Sequence, residues 1–221
     1  MQWTEKYRPK KLSDLIISDD IFLKINEWID SWKSGNPRKK SLLIFGPPGI
    51  GKTTTALCIA NDLNVPVIEM NGSSQRNRDK IREIAGNAAS TRDLMSFEAE
   101  KRSVDKVILI DEADNMHEGR NGDDSGGIRE LASVIRASRN PIIITMNEYY
   151  DFRRKQGADL VLGLSETIEF KQYLRRNDNN AKNFRIRLFK RIRQILELEN
   201  RTVRAEVLNE ILLELYCFRQ A

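Results

Sequence analysis

Residues 46–53 read Gly-Pro-Pro-Gly-Ile-Gly-Lys-Thr, and this stretch decides the fold of the chain. It matches G-x-x-x-x-G-K-[ST], the pattern of a phosphate-binding P-loop, whose glycines let backbone N–H groups turn toward phosphate oxygens. In such a loop Lys52 can reach the outer phosphates, and the Thr53 hydroxyl can hold Mg²⁺. The apolar run 41–45 predicts a strand before the loop, and residues 54–60 predict a helix after it, whose dipole strengthens the anion site.

Polar residues also follow two further apolar runs. Asp111 and Glu112 come directly after the predicted strand 106–110, and Asn147 ends the predicted strand 141–147. Ligands bind at the carboxyl ends of strands in a parallel sheet, so we expect these side chains beside the P-loop. Asp111 is predicted to help hold Mg²⁺, and Glu112 to orient and deprotonate an attacking water. Asn147 is predicted to hydrogen-bond the γ-phosphate or that water.

Length and composition limit the class of protein. The 221 residues suffice for one large domain, or for one medium and one small domain. A hydrophobic fraction of 40% and a charged fraction of 31% are typical of a soluble globular protein. No apolar run approaches the roughly 20 residues of a membrane span, and no signal peptide pattern opens the sequence. The two cysteines form no pattern of a disulfide framework, which indicates a reducing compartment. We therefore expect the cytoplasm or, in a eukaryote, the nucleus.

The net charge of +5 is unevenly distributed. Residues 171–221 hold 12 basic and 6 acidic side chains, whereas residues 1–170 hold 25 basic and 26 acidic ones. This cationic tail favours a polyanion or an acidic partner, with a solvated helical face as the alternative. A second basic group lies near the start of the predicted helix 75–89, where cations oppose the helix dipole. DNA phosphates are one partner that would favour these cations, and ordinary solvated side chains are the alternative. The residues of this group are Arg76, Arg78, Lys80 and Arg82.

The order of the predicted elements indicates an α/β fold. Five strand patterns alternate with amphipathic helices, so the crossover rule predicts a five-stranded parallel sheet flanked by helices. A polar joint at residues 175–180 then leads to a small all-helical segment. Residues 1–20 are expected to have little helical tendency because of Tyr7 and Pro9. The other predicted elements are the strands 65–70 and 167–170 and the helices 21–33, 126–137, 184–198 and 205–218.

The motifs in combination resemble the AAA+ ATPases and, within them, the clamp loader family replication factor C, over nearly the whole chain. Residues 46–53 are similar to its Walker A motif, and residues 108–113 to Walker B in the Asp-Glu form. The opening 3–9 is similar to its N-terminal box, and residues 145–150 to sensor 1. Features of the archaeal large subunit appear in 71–77 and 125–127, and the start of sensor 2 in 218–221.

This resemblance implies an ATPase that binds ATP and Mg²⁺ and has three parts. They are an N-terminal box at 1–20, a P-loop ATPase domain at 21–172 and an incomplete helical lid at 173–221. Arg219 would touch the γ-phosphate from the lid. The implied catalytic residues are Lys52, Glu112 and Asn147, and the implied metal-binding residues are Thr53 and Asp111. The implied nucleotide-binding residues are Tyr7, Arg8, Pro9, Gly46, Pro47, Pro48, Gly49, Ile50, Gly51, Lys52, Thr53, Thr54 and Arg219.

The implied partners are clamp loader small subunits, a sliding clamp and primer–template DNA. Small subunits of the family carry an arginine that acts on a neighbour's ATP, but residues 163–167 contain none, which agrees with a large subunit. The family continues past residue 221 into a collar, so we expect a fragment, or the N-terminal half of a subunit whose separate C-terminal half is a further partner. The alternatives are a nucleotide-dependent binding module with little hydrolysis, and another AAA+ ATPase acting on DNA, such as a checkpoint clamp loader.

Overall fold

A five-stranded parallel sheet is the main feature of the computed structural model. The model describes residues 2–71, 104–115, 125–171, 179–204, 206–208 and 210. In space the strands follow the order β2-β3-β4-β1-β5, and every neighbouring pair is parallel. The predicted sheet is therefore confirmed. Its strands are β1 (Ser41–Phe45), β2 (Val67–Asn71), β3 (Val107–Asp111), β4 (Ile142–Met146) and β5 (Ser165–Glu169).

Helices precede, separate and follow these strands along the chain. The described part of the chain also has 3₁₀ turns at Leu12–Asp14 and Ala113–Asn115. None of the described helices combines the length and the apolar composition that a membrane span needs. The helices whose bounds lie within the described residues are α1 (Trp3–Lys6), α2 (Asp19–Lys33), α3 (Lys52–Leu63), α4 (Ser125–Ala137), α5 (Tyr149–Arg154), α6 (Ala158–Leu164) and α7 (Asn179–Leu198).

The middle strands are covered on both faces, as their continuous apolar sequences require. All five residues of β1 and of β4 are buried, which is the pattern of a parallel sheet between two layers of helices. One face, with Leu43 and Ile144, packs in a common core with Leu131 of α4 and Val161 of α6. Helix α3 contacts β3 and β4. Because β4 lies between β3 and β1 and all three strands are parallel, their carboxyl ends lie next to one another.

Two expectations about where helices begin were wrong. The first residues do form a helix, α1, with Tyr7 N–H bonded to the Trp3 carbonyl oxygen at 3.0 Å. The restriction that proline places on the backbone acts on the residue before it, so Pro9 leaves residues 3–6 free to turn. Helix α7 starts at Asn179, inside the expected polar joint. Helices α5 and α6 were not predicted, because they are only 6 and 7 residues long. The predicted helix 75–89 and most of 205–218 lie outside the described residues.

The chain divides into two compact units. One comprises residues 1–8, 16–20 and 171–221, and the other comprises 9–15 and 21–170. In the first unit, Glu199 Oε1 accepts hydrogen bonds from Lys6 Nζ and from the Tyr7 hydroxyl, each at 2.6 Å. These bonds link the N-terminal residues to the segment that follows α7. The domain boundaries expected from the sequence stay a prediction.

Candidate functional site

The P-loop joins the end of β1 to the start of α3, and two glycines make its path possible. Gly46 has φ +147°, and a Cβ atom added there would collide with the backbone carbonyl oxygen of Phe170. Gly51, immediately before α3, has φ +99° in open space. Residues with a side chain rarely adopt such angles. The loop can therefore pass close to the backbone after β5 and still turn into the helix.

The Lys52 ammonium group lies at the centre of this loop. Its Nζ donates to the carbonyl oxygens of Gly46 and Pro47, at 2.7 and 2.8 Å, and to Asn147 Oδ1 at 2.7 Å. Only 7% of the residue is exposed. Lys52 and Asn147 lie 95 positions apart in the sequence, and the adjacency of β1 and β4 brings them together.

Burial and nearby carboxylates act on Lys52 in opposite directions. Burial lowers the pKa of the Lys52 ammonium, because a low-dielectric surrounding disfavours the charged form. The carboxylates of Asp114, Asp111 and Glu112 raise that pKa, in decreasing order of effect, and burial remains the largest influence. A bound phosphate would add negative charge beside the ammonium group and would favour its protonated form.

Thr53 and Asp111 place oxygen atoms that could act as metal ligands beside Lys52. The Thr53 hydroxyl lies 3.0 Å from each carboxylate oxygen of Asp111. Hydroxyl and carboxylate oxygens are hard ligands of the kind that Mg²⁺ prefers. The loop and this pair therefore fit a magnesium-bound nucleotide phosphate, with Thr53 and Asp111 as the residues that would hold the metal.

Glu112 has an unusual backbone conformation. Its φ is +53°, which few residues other than glycine adopt. Its N–H donates to the Thr145 hydroxyl oxygen at 3.1 Å, and its Oε2 accepts from Asn115 Nδ2 at 3.2 Å. Hydrogen bonds thus restrain both the backbone and the carboxylate of the expected general base.

Asp114 connects the end of β3 to the loop that carries Asn147. Its Oδ2 accepts from the N–H groups of Asn147 and Glu148 at 3.2 and 3.1 Å. Its backbone carbonyl oxygen accepts from Lys155 Nζ at 2.9 Å. Asp114 was given no role from the sequence. The signal that could have identified Asp114 is its position with Asp111 and Glu112 directly after the apolar residues of β3.

Thr145 was also given no role of its own from the sequence. Its hydroxyl donates to Asp111 Oδ1 and accepts from the Glu112 N–H. The available signal was a polar residue inside the otherwise apolar strand β4, because a buried polar group needs a hydrogen-bond partner.

The other predicted site residues take different positions. Pro48 and Gly49 are exposed in the loop, Ile50 is half-buried, and Thr54 lies in the first turn of α3. The Pro9 carbonyl oxygen accepts from the Cys58 thiol of α3 at 3.3 Å.

Tyr7 and Arg8 belong to the other compact unit. Their side chains bond to Glu199 and Glu5, respectively. The predicted residues Arg219, Arg76, Arg78, Lys80 and Arg82 lie outside the described residues.

This fold and this set of residues define a P-loop ATPase of one particular family. The chain belongs to the ATPase family associated with various cellular activities (AAA), whose family model matches residues 42–163. The fold class and the family predicted from the sequence are thereby confirmed.

Within this family, the chain is similar to particular curated proteins. The chain is 49% identical to the replication factor C large subunit of Thermoplasma acidophilum over 212 residues, which are 96% of this chain and 50% of the relative. It is 44% identical to the replication factor C large subunit of Thermoplasma volcanium over 215 residues, which are 96% of this chain and 51% of the relative. The chain thus spans about half the length of these curated relatives.

A solved structure supports the fold independently. AMPPCP-bound DnaA from Aquifex aeolicus matches with a TM-score of 0.54 and 15% identity, over 91% of this chain and 59% of that chain. At this identity the match shows a common fold and nothing more.

Proposed function

We propose that this chain is the ATPase part of a clamp loader large subunit. Together with small subunits, it would use ATP to open a sliding clamp and load it onto primer–template DNA during replication. One observation carries the proposal: Lys52, Thr53 and Asp111 meet at the carboxyl edge of the sheet, with Asn147 bonded to Lys52. The similarity to replication factor C large subunits supports the choice of substrate and partners.

Each residue of the site would have a separate role in ATP hydrolysis. Lys52 would bind the outer phosphates with its ammonium group. Thr53 and Asp111 would hold Mg²⁺, which neutralises phosphate charge when it is bound. Glu112 would orient the attacking water and accept its proton, and Asn147 would position that water or the γ-phosphate.

Rapid turnover would need an arginine from a neighbouring subunit. Such an arginine finger raises kcat by a factor of about 10³–10⁵ in related phosphoryl transfers. We therefore expect the isolated chain to bind ATP and to hydrolyse it very slowly. Fast hydrolysis by the isolated chain would contradict this part of the proposal.

The test measures ATP hydrolysis by this chain with and without small subunits, clamp and primed DNA. The small subunits carry disabled sites of their own, so that any turnover comes from this chain. The proposal requires turnover that appears only in the mixture and disappears with Lys52→Ala. The matched control is Lys39→Ala, because Lys39 lies outside the P-loop and bonds to the Gly163 carbonyl oxygen. Binding of ATP without turnover in the mixture would remove the roles given to Glu112 and Asn147.

A second function is favoured by the hydrogen bond between Asn115 and Glu112. With one carboxylate oxygen engaged, the chain could serve as a nucleotide-dependent binding module that hydrolyses little ATP. Glu112→Gln separates the two functions, because it keeps the shape of the side chain but removes the base. A large loss of turnover in the mixture supports the ATPase, and unchanged turnover supports the module. The clamp that is opened distinguishes a replicative loader from a checkpoint loader.

DNA contact through the basic group Arg76, Arg78, Lys80 and Arg82 is a separate part of the proposal. Each lysine or arginine that neutralises a phosphate releases counterions and steepens the dependence of binding on salt. Reversing the charge of Arg76 and Arg78 should therefore weaken DNA binding by the assembled complex and flatten its salt dependence. An unchanged salt slope would assign DNA binding to other residues.

A further inference from the structure

We propose that Thr145 is a positioning residue whose hydroxyl couples the metal-binding carboxylate of Asp111 to the backbone of the general base Glu112. The inference rests on the proposed nucleotide site and deepens it. Thr145 is 1% exposed, and both of its partners lie on the neighbouring end of β3. It would touch neither substrate nor metal.

The direction of each hydrogen bond follows from the groups involved. A threonine hydroxyl has one proton to donate and lone pairs to accept. The Glu112 N–H can only donate, so the Thr145 oxygen accepts from it at 3.1 Å. The single hydroxyl proton is then directed to Asp111 Oδ1. Asp111 also accepts a hydrogen bond from the Thr53 hydroxyl.

The same hydroxyl is one of the hydrogen-bond partners that restrain Glu112 in its uncommon conformation. A non-glycine residue with positive φ usually persists because surrounding contacts enforce it. For Glu112, with φ +53°, the described hydrogen bonds are that of its N–H to Thr145, that of its carbonyl oxygen to the Asn115 N–H at 3.0 Å, and that of its carboxylate to Asn115 Nδ2. One hydroxyl therefore contacts both the metal-binding carboxylate, which Thr53 also contacts, and the backbone of the base, which Asn115 also contacts.

Two variants of Thr145 separate the hydroxyl from the methyl group. Thr145→Val keeps the branched shape and removes the hydroxyl, whereas Thr145→Ser keeps the hydroxyl and removes the methyl group. If the hydroxyl matters, serine behaves as the wild type and valine is impaired. If only packing matters, the order is reversed. Thermal unfolding confirms that each variant is folded before it is compared.

The first measurement needs no nucleotide. Hydrogen exchange at the Glu112 amide, followed by NMR, should be about three- to tenfold faster in Thr145→Val, the factor that corresponds to one net hydrogen bond. Thr145→Ser should exchange like the wild type. An unchanged rate in the valine variant would overturn the proposal, whatever the chain does with ATP.

The second measurement uses Mn²⁺ as the probe, titrated by electron paramagnetic resonance in the presence of saturating AMPPCP. Losing a partner of a metal-binding carboxylate usually weakens metal affinity by about 10- to 100-fold. We expect that loss in the valine variant, an unchanged AMPPCP affinity without metal, and recovery in the serine variant. Equal Mn²⁺ affinity in the valine variant and the wild type would overturn the coupling.

The two measurements keep the failure of this inference apart from failure of the proposed function. If the wild type binds no AMPPCP, the nucleotide site itself is refuted, and the inference falls with it. If AMPPCP and Mn²⁺ bind but Thr145→Val changes neither readout, only the role of Thr145 is refuted. In the assembled complex, a lower kcat with an unchanged KM for ATP supports positioning of the base, and serine should restore it.

Discussion

Alanine in place of Gly46 should destabilise the protein through two separate effects. A residue with a side chain at φ +147° carries backbone strain of about 1–3 kcal/mol. The new Cβ would also overlap the Phe170 carbonyl oxygen, and moving a backbone to relieve such overlap costs about 1–3 kcal/mol. We therefore expect the free energy of unfolding to fall by about 2–6 kcal/mol.

Two other glycines provide matched controls. Gly51 has φ +99° but open space around it, so Gly51→Ala should cost only the strain, about 1–2 kcal/mol. Gly163 lies in α6, its φ is not in the left-handed region, and a Cβ would meet nothing within 4 Å. Gly163→Ala should be stabilising by about 0.5–1 kcal/mol, because alanine loses less conformational entropy in a helix.

Equilibrium unfolding in urea measures all three variants, with equal slopes indicating that the same surface is exposed. The expected order of stability is Gly163→Ala, wild type, Gly51→Ala and Gly46→Ala. If Gly46→Ala and Gly51→Ala agree within about 0.5 kcal/mol, the overlap with Phe170 has no energetic effect and the reasoning is refuted. A loss in Gly163→Ala as large as that in Gly46→Ala would refute the distinction between strained and unstrained positions.

Three further predictions concern other parts of the chain. Burial raises the pKa of the Cys58 thiol to about 12. In a Cys217→Ser background, an alkylating reagent at a pH near the ordinary thiol pKa of about 8.5 should therefore modify Cys58 only after unfolding. Rapid labelling of the folded chain would contradict the burial. Phe152 is completely buried, so Phe152→Ala should lower the free energy of unfolding by about 3–5 kcal/mol in a urea titration; a loss below about 1 kcal/mol would mean that the site tolerates a small residue. The hydrogen bond from Lys6 lowers the pKa of the Glu199 carboxyl group, so Lys6→Met should raise that pKa in an NMR titration, and an unchanged value would exclude the hydrogen bond in solution.

The sequence predicted those parts of the fold whose signals are local. The P-loop between β1 and α3 was predicted because its glycines, lysine and threonine are adjacent in the chain. Strands β1, β3 and β4 were predicted because each is a short, largely apolar run that leads into a polar or turn-forming residue. The signal for β5, predicted at 167–170, is weaker, because Ile168 is its one apolar residue. Helices α5 and α6 were missed because one or two turns give too little periodicity to recognise. Helix α1 was missed because the restriction from Pro9 acts on the residue before it and leaves residues 3–6 free to form a helix.

The candidate site was predictable only in part. Lys52, Thr53, Asp111 and Asn147 were named from motifs, and the structure joins them in two hydrogen-bonded pairs, Lys52 with Asn147 and Thr53 with Asp111. The contributions of Thr145 and Asp114 were not predicted, because each consists of hydrogen bonds to residues more than 30 positions away.

The sequence by itself determined the nucleotide-binding loop, the class of fold and the side chains available for chemistry, because hydrophobic periodicity and turn preferences act between near neighbours. Only the tertiary structure decided which of those side chains meet. The strand order places β4 between β3 and β1, so Thr145 can reach Asp111 and Glu112 while Asn147 reaches Lys52. Strand order and register depend on packing over the whole sheet, and no stretch of sequence encodes them alone.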